Sequence, residues 1–600
     1  MTGRTERSKD QTERAKEPKG RKHRKDQATP PTTPPTTPPT TPPTTEQTTA
    51  PTGAAAAGAR RTRVRRGVRA TAAAVTGVAA VGALAAVAVL GDQWAQSWTG
   101  AEQQAAAAGT RTVGVQPAEA TLVCPTPVAL PEGADVGDQQ FDATPVPTTS
   151  GLGALVLGGA EDGARTSALG GEDPLDLTAG DAAAAWQGAV STTRVLQATP
   201  VADEPFRAAG AMGSVTTQGD LRGLGVGACT APSTSQWLVG GSTEVGSTAT
   251  LTVQNPSEQP ATVALDVYGP GGPVALGGQG TFTVAPHEQV TTRLESVAPE
   301  QDRLAVNVRA AGARVDASLQ TQAIDGLLPA GVDLLTSGAS PRKALAVGGV
   351  LSRGEAVDDP HAPRLRLLAP GEQGGTAHVT VYGPSGPVVL RGADEVELEP
   401  GVVTDVPLGG LPEGAYTVVV DADVAVVGAA RTDQPGQQPE DSVVDGTPYD
   451  VAWSAAQPVA RADGAGPAGQ LGVPGGVRTG ITLAAVPADR DPDTDPEGSL
   501  PVTVRLYDAS GAEIGSEDVE LTAGATSSFS LASVAAEGTE PVGVSVDRAD
   551  GGDAGLGLAW AVVMRADDGT AATGTLLASV APTAPVTTPG AVEVRDVDAG

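Results

Sequence analysis

TVALDVYGPGGPV, at residues 262–274, alternates apolar and polar side chains and then enters a turn. Val263, Leu265 and Val267 fall on every second position, which is the period of a β-strand with one buried face. The Gly and Pro residues at 269–273 supply the positive φ angles and fixed kinks that tight turns require. This segment therefore predicts an antiparallel β-hairpin.

Related segments occur twice more, as AHVTVYGPSGPV at 377–388 and, more loosely, as VTVRLYDASG at 502–511. Their tyrosines, Tyr268, Tyr382 and Tyr507, are separated by 114 and 125 residues. That spacing is typical of a β-sandwich domain rather than of a solenoid repeat. Short apolar runs follow each copy in the same order. The sequence therefore predicts an all-β ectodomain built from tandem antiparallel β-sandwich (Ig-like) domains.

The stretch Ala70–Leu90 contains no charged residue and is about long enough to cross a bilayer as a helix. Six arginines lie between residues 60 and 69, and such a cluster keeps its flank in the cytoplasm. We expect an uncleaved signal anchor, because the apolar stretch and the segment before it are longer than a cleaved signal peptide normally has. The Ala-rich composition leaves cleavage as the alternative.

Charge divides the chain at the same place. The whole sequence has 39 Lys and Arg against 70 Asp and Glu, a net charge of −31, yet residues 1–69 carry an excess of Lys and Arg. This basic arm has few apolar residues and is expected to be disordered. Its Pro-Pro-Thr-Thr repeats at 30–45 favour a stiff spacer, with a docking or phosphorylation segment as the alternative. The acidic remainder argues against nucleic-acid binding, because phosphate contacts need Lys and Arg.

These observations divide the chain into segments. The predicted segments are a disordered basic cytoplasmic arm at 1–69, a transmembrane helix at 70–90, a stalk at 91–120, a Gly/Ala-rich β region with a disulfide at 121–235, β-sandwiches at 236–335, 340–435 and 450–585, and a flexible tail at 586–600.

The two cysteines, Cys124 and Cys229, both lie on the predicted outer side of the membrane. An oxidising compartment favours a disulfide between them. A zinc site is a poor alternative, because two distant cysteines lack the paired spacing of zinc ligands.

A series of short motifs in the ectodomain resembles an actinobacterial exoprotein-like family known only as domain of unknown function 5719. The motifs that carry the resemblance are Leu122-Val123-Cys124-Pro125, Ala228-Cys229, Gln236-Trp237-Leu238-Val239-Gly240-Gly241-Ser242-Thr243, Leu251-Thr252-Val253-Gln254-Asn255-Pro256 and Gly331-Val332-Asp333. The resemblance implies a secreted or membrane-anchored envelope protein, and it brings no established activity.

Catalytic and cofactor motifs are missing from the sequence: it has no Gly-x-Ser-x-Gly elbow, no His-Glu-x-x-His and no phosphate-binding Gly-Lys-Ser/Thr. We expect His287, His361 and His378 to be surface residues. Trp237, Trp453 and Trp560 are expected to fill β-sandwich cores, with an exposed platform for sugar rings as the alternative. No catalytic residue and no cofactor is therefore assigned.

An acidic segment contains Asp489, Asp491, Asp493, Asp495 and Glu497. Oxygen ligands at this density can hold calcium, but Pro496 stands where the calcium loop of an EF-hand needs Gly. We interpret the segment as a solvated loop, with a calcium site as the alternative, and assign no metal ligand.

Together these inferences predict a single-pass, membrane-anchored extracytoplasmic envelope protein. Its β-sandwich modules are expected to have a structural or binding role and no enzymatic one, with cell-wall glycan or envelope proteins as candidate partners. The alternatives are an envelope hydrolase or transferase with dispersed catalytic residues, and a transmembrane sensor.

Overall fold

The computed structural model describes residues 110–113, 119–130, 148–201, 206–390, 392, 394–437, 444–459, 466–488, 496–569, 576–583 and 592–595. The predicted arm, the predicted span Ala70–Leu90 and the acidic segment 489–495 lie outside these residues. No helix among the described residues is long and apolar enough to cross a membrane.

Within the described part of the chain almost all regular structure is β, which confirms the all-β prediction. The exceptions there are short 3₁₀ turns at Gly277–Gly280, Leu294–Ser296 and Leu531–Ser533.

The strands are numbered along the chain and fall into modules, each made of two facing sheets. Before module 1 lies β1 (Thr110–Val113). Module 1 consists of β2 (Ala120–Cys124), β3 (Thr149–Leu157), β4 (Ala160–Ala168), β5 (Leu175–Asp176), β6 (Thr178–Ala179), β7 (Ala184–Ala189), β8 (Arg194–Pro200), β9 (Arg207–Thr216) and β10 (Gly223–Ala228). Module 2 consists of β11 (Ser235–Val239), β12 (Ser247–Gln254), β13 (Ala261–Gly269), β14 (Gly272–Val274), β15 (Thr281–Val284), β16 (Gln289–Arg293), β17 (Ala305–Ala311), β18 (Asp316–Asp325) and β19 (Leu328–Thr336).

The second half of the chain contains the other two modules. Module 3 consists of β20 (Arg342–Ser352), β21 (Arg364–Leu368), β22 (Gly375–Gly383), β23 (Gly386–Val388), β24 (Glu395–Leu398), β25 (Val403–Pro407), β26 (Gly414–Pro435) and β27 (Tyr449–Ala455). Module 4 consists of β28 (Gly466–Gly472), β29 (Arg478–Pro487), β30 (Ser499–Tyr507), β31 (Glu513–Thr522), β32 (Thr526–Ser530), β33 (Gly543–Arg548), β34 (Leu556–Ala566) and β35 (Leu576–Val580). The last described strand, β36 (Val592–Arg595), pairs with β1.

All four modules of the described chain share one strand order. In module 2 one sheet runs β11–β17–β13–β14 and the other β16–β12–β18–β19. Module 4 repeats this as β28–β33–β30–β31 and β32–β29–β34–β35, and module 1 as β2–β8–β4–β5 and β7–β3–β9–β10. In module 3 the long strand β26 belongs to both sheets: its first half pairs with β20 and β22, and its second half with β21 and β27.

The predicted hairpins have the same register in modules 2 and 3. Tyr268 lies opposite Pro273 in the first, and Tyr382 lies opposite Pro387 in the second. The turn residues Gly272 and Gly386 have φ angles of +101° and +113°, which glycine adopts without strain. The periodic motif therefore corresponds to one structural unit. Module 1 is a further copy of the fold that lacks this motif.

The modules are not independent of one another. The buried core of module 2 includes Leu368 and Trp453 from module 3, and that of module 4 includes Leu224 and Val226 from module 1. The last strands of the four modules also meet: β10 contacts β19, β19 contacts β27, β27 contacts β35, and β35 contacts β10. We call this meeting of β10, β19, β27 and β35 the central junction.

The predicted disulfide is present between Cys124 and Cys229. Cys124 ends the first strand of module 1, and Cys229 directly follows its last strand. Both residues are fully buried. The bond therefore ties the two ends of module 1 together beside the central junction.

Replacing both cysteines by serine should lower the free energy of unfolding. The bond closes a loop with a sequence separation of 105 residues, for which the chain-entropy model gives about 4–5 kcal/mol. Urea denaturation of the C124S/C229S variant, compared with the oxidised wild type, measures this loss. Wild-type protein reduced while unfolded and then refolded under reducing conditions is the control and should show a similar loss. A double variant within about 1 kcal/mol of the oxidised wild type would contradict the prediction.

Candidate functional site

The central junction brings together strand edges that face one another rather than solvent. Among the described strands, β10, β19, β27 and β35 each pair along one edge with a strand of their own module. The N–H groups along the other edge must find acceptors, because an unpaired buried N–H is costly.

Asp450, on β27 of module 3, accepts hydrogen bonds from three other modules. One of its carboxylate oxygens accepts from the backbone N–H of Leu224 at 3.1 Å and of Leu577 at 2.8 Å. The second oxygen accepts from the N–H of Val332 at 3.4 Å. Asp450 is fully buried. A single side chain thus joins module 3 to modules 1, 2 and 4.

Asp333, on β19 of module 2, has a similar role. Its carboxylate accepts from the backbone N–H of Trp453 at 2.6 Å and of Leu334 at 2.8 Å. The backbone of Val226 also hydrogen-bonds to it. Asp333 therefore connects module 2 with modules 3 and 1.

The glycine two residues before Asp333 permits this close approach. Gly331 has a φ of +106°, and a Cβ at this position would lie 2.5 Å from the backbone nitrogen of Val451. Both the backbone conformation and the available space therefore require glycine here. The motif Gly331-Val332-Asp333 is thus explained by the geometry of the central junction.

A buried ion pair lies at the edge of the junction. Arg222, directly before β10, donates to Asp568 at 2.6 Å, and both side chains are almost fully buried. Arg222 also donates to the backbone carbonyl of Tyr449 at 3.2 Å. The guanidinium therefore links modules 1, 4 and 3.

Burial shifts the titration of the junction carboxylates. It raises the pKa of Asp450 to about 7, although the N–H donors and the charge of Arg222 oppose the shift. It also raises the pKa of Asp333 well above the ordinary value, and the nearby charge of Asp450 adds to this effect. Perturbed carboxylates can mark functional sites, but structural networks perturb them as well.

A third buried carboxylate, Asp316, lies between modules 1 and 2. The hydroxyl of Thr230 donates to one of its oxygens, and the amide of Gln236 approaches the same atom at 3.5 Å. Burial raises the pKa of Asp316 to about 7.

A cavity of about 350 Å³ adjoins the central junction and is lined by all four modules. Its walls are mainly aliphatic, with Trp453 as the aromatic member. Thr230, Gln457 and Ser579 contribute polar groups, and none of the lining residues is ionisable. This lining can hold an apolar group, but it offers no general acid or base.

Two of the predicted surface histidines lie where the sequence placed them. His287 is in a turn, with one ring nitrogen 3.3 Å from the carbonyl oxygen of Leu169 and the other 3.1 Å from the carboxylate of Glu258. His378 is exposed on β22. Neither ring is hydrogen-bonded to a hydroxyl or thiol of the described residues.

His361 has more specific partners than a surface position predicts. Its ring stacks on Tyr449 with a centroid distance of 3.6 Å, and its Nδ1 lies 2.9 Å from the carboxylate of Asp433. Asp433 is buried and also accepts two hydrogen bonds from Arg431. Burial raises the pKa of Asp433, but the charge of Arg431 and the hydrogen bonds from His361 and Arg431 hold it below its ordinary value. Asp433 is thus an ionised structural partner.

The prediction that Trp237, Trp453 and Trp560 fill cores is confirmed, because all three are buried. Trp237 packs against Tyr268, with ring centroids 5.8 Å apart. The indole N–H of Trp560 donates to the carbonyl of Ala468 at 3.0 Å. None of the three is available as a platform for sugar rings.

The calcium alternative involves residues 489–495, which lie outside the described part of the chain. Within that part, no group of three or more His, Cys, Asp or Glu side chains is arranged to hold a metal ion.

Sequence reasoning assigned no role to Asp316, Asp333 or Asp450. A usable signal was present, because Asp333 and Asp450 each interrupt an otherwise apolar strand. A charge at such a position indicates a partner elsewhere in the fold.

A family model described as "Family of unknown function (DUF5719)" matches residues 184–532. No curated protein matches the chain. Among solved structures, "Crystal Structure of Thermotoga maritima 1070" is similar at 15% identity and a TM-score of 0.15, covering 20% of this chain and 95% of that one. The "Biofilm associated protein - BSP domain" is 8% identical with a TM-score of 0.11, over 73% of this chain and 91% of that one. A Streptomyces avermitilis alpha-L-rhamnosidase complexed with L-rhamnose is 12% identical with a TM-score of 0.11, over 72% and 54%. Likenesses this weak carry no argument about function.

Stability should fall as the pH rises from about 4 to 7, through the contribution of Asp450. Its pKa is raised to about 7 in the folded state, so over this range the folded state binds the proton more tightly than the unfolded state. The D450N variant should lose this contribution and reduce the slope of unfolding free energy against pH by up to about 1.4 kcal/mol per pH unit.

Urea denaturation between pH 5 and pH 7 measures this slope. D508N is the control: hydrogen bonds from Ser510 lower the pKa of Asp508, so its loss leaves the slope in this range unchanged. A folded D450N variant with the wild-type slope would contradict the assignment.

Gly331→Ala should destabilise the protein more than Gly386→Ala. Both positions have a positive φ, but only at Gly331 would the new Cβ meet another strand; a Cβ at Gly386 has nothing within 4 Å. The backbone cost common to both is about 1–2 kcal/mol, and any excess at Gly331 measures the close packing of the junction. Equal melting temperatures of the two variants would show that the junction tolerates the extra methyl group.

Proposed function

This chain belongs to DUF5719, a family of unknown function, and on that premise we propose that it is an extracytoplasmic envelope protein anchored by a single membrane span. Its β-sandwich modules then have a structural or binding role outside the cytoplasm. The proposal assigns no reaction to the chain.

The observation that carries the proposal is the central junction. The carboxylates of Asp450 and Asp333 accept hydrogen bonds from backbone N–H groups of neighbouring modules. The most strongly perturbed carboxylates are therefore part of the connection between modules. Such a junction favours a scaffold that holds four sandwiches in fixed positions.

Three further features support the location. An all-β fold, the Cys124–Cys229 disulfide and an acidic ectodomain are together typical of proteins outside the cytoplasm. The uncharged stretch Ala70–Leu90 behind an arginine cluster supports a span with the N-terminal arm inside.

The topology is tested with the full chain carrying a different tag at each end, expressed in its native host. We expect both tags on one membrane-bound polypeptide, with the C-terminal tag open to external protease and the N-terminal tag protected. A shortened polypeptide in the medium, or a protected C-terminal tag, would overturn the anchored topology.

Val81→Arg provides a test of the span itself. A charge near the centre of a moderately apolar helix opposes insertion by about 2.5–3.5 kcal/mol. We expect this variant to leave the membrane fraction, while Val81→Leu, the matched control, is retained. Retention of both variants would show that another segment holds the protein in the membrane.

A further inference from the structure

A second cavity lies between modules 3 and 4. Its volume is about 620 Å³ and it is open on one side. One wall comes from the ends of β20 and β26, and the other comes from β29, β32 and β34. We call it the interface cleft.

Two arginines of module 4 line the interface cleft side by side. Arg478 and Arg565 are directly opposite each other in the antiparallel pair of β29 and β34. Arg478 is exposed, and Arg565 is partly buried. No hydrogen bond or ion pair joins either guanidinium to another residue in the described part of the chain.

This arrangement is unfavourable without a ligand. Like charges directly opposite each other in a sheet repel. Burial lowers the pKa of Arg565, and the charge of Arg478 lowers it further. Acidic residues outnumber basic ones by 70 to 39 in this chain, so partners are plentiful.

Other arginines of the chain do have such partners. Arg366 binds Asp405, and Arg309 binds Asp266, each through two hydrogen bonds. Unlike these two, neither arginine of the interface cleft has a carboxylate partner among the described residues.

The remaining charges of the interface cleft leave the arginine pair in excess. Arg353 is paired with Glu355 at 3.1 Å, and the buried Asp433 is held by Arg431. Glu413, which is exposed, is the remaining acidic residue of the lining. The lining therefore carries two guanidinium groups without a partner among the described residues, against one exposed carboxylate.

The rest of the lining matches a hydroxylated ligand. Ser528 and Ser530 are exposed, and their hydroxyl groups lie on the same face of the sheet as the arginine pair. Hydroxyls can both donate and accept hydrogen bonds, as the hydroxyls of a sugar require. The volume is in the range of small-molecule sites and exceeds what a free inorganic anion needs.

We propose that the interface cleft binds a saccharide that carries an oxyanion, with Arg478 and Arg565 on the anionic group and the hydroxyls of Ser528 and Ser530 on the sugar. Guanidinium groups suit carboxylate and phosphate equally, because both accept two parallel hydrogen bonds. The inference rests on the proposed function only in that the chain has a binding role, and it does not depend on the membrane anchor.

Titration calorimetry with the full chain in mild detergent tests the proposal. The probes are glucose 1-phosphate and glucuronate, with glucose and inorganic phosphate as comparisons. We expect at least one charged sugar to bind more tightly than both comparisons, with an affinity that falls as salt is added. The two charged sugars distinguish phosphate from carboxylate as the anionic group.

Two variants connect binding to the arginine pair. R478Q/R565Q should weaken binding by roughly tenfold to a hundredfold, the range for a lost charged hydrogen bond. R478Q alone should weaken binding without lowering the melting temperature, because it removes a repulsion from an exposed position. R309Q, which removes an exposed arginine paired with Asp266, is the matched control and should leave binding unchanged.

The proposal is overturned if neither charged sugar binds at about 10 mM, which is about ten times a weak dissociation constant of 1 mM. Equal binding by wild type and R478Q/R565Q would also overturn it, and so would inorganic phosphate binding as tightly as the sugar phosphate. A lower melting temperature of R478Q would indicate a structural role for the arginine instead. These outcomes are independent of the membrane topology, so failure here leaves the anchored topology standing.

Discussion

The hydrogen bonds of Asp450 are the constraint on which the arrangement of the modules depends. Backbone N–H groups from three modules point at one fully buried carboxylate. An aspartate suits this position because its short side chain carries two oxygens that can accept from several donors. Leaving a buried N–H without an acceptor costs about 1–3 kcal/mol. The modules are therefore held in the one arrangement in which all three N–H groups reach the carboxylate of Asp450.

Buried charge of this kind is weak evidence for stability, because desolvation opposes the gain from hydrogen bonding. Its clearer effect is specificity. An apolar side chain at position 450 would leave these N–H groups without an acceptor, whereas a carboxylate accepts hydrogen bonds only from correctly placed N–H groups. Asp333 adds a second fixed point between modules 1, 2 and 3. The arginine pair of the interface cleft is the opposite case, because neither guanidinium has a partner among the described residues.

Local sequence patterns predicted the hairpins of this fold, but they did not predict the contacts between modules. The alternation around Val263 and the turn after Tyr268 indicated the hairpins, because both are encoded within a dozen residues. Module 1 escaped recognition as a copy, since β4 and β5 keep the pairing of the other modules without the Tyr-Gly-Pro turn. The partners of Asp450 are 118 to 226 residues away in the chain, which is about one or two module repeats. The repeat identifies equivalent strands, but it does not show that these strands meet.

The central junction also has a consequence for the order of folding during synthesis. The N–H of Leu224 has no acceptor until Asp450 has been synthesised. The second donor to the same oxygen, the N–H of Leu577, is synthesised later still. Contacts of such large sequence separation form slowly, because the entropy cost of closing the loop comes before the contacts can stabilise it. Module 1 therefore emerges from the ribosome with an edge that cannot yet be paired. The native junction can be complete only after module 4 has left the exit tunnel.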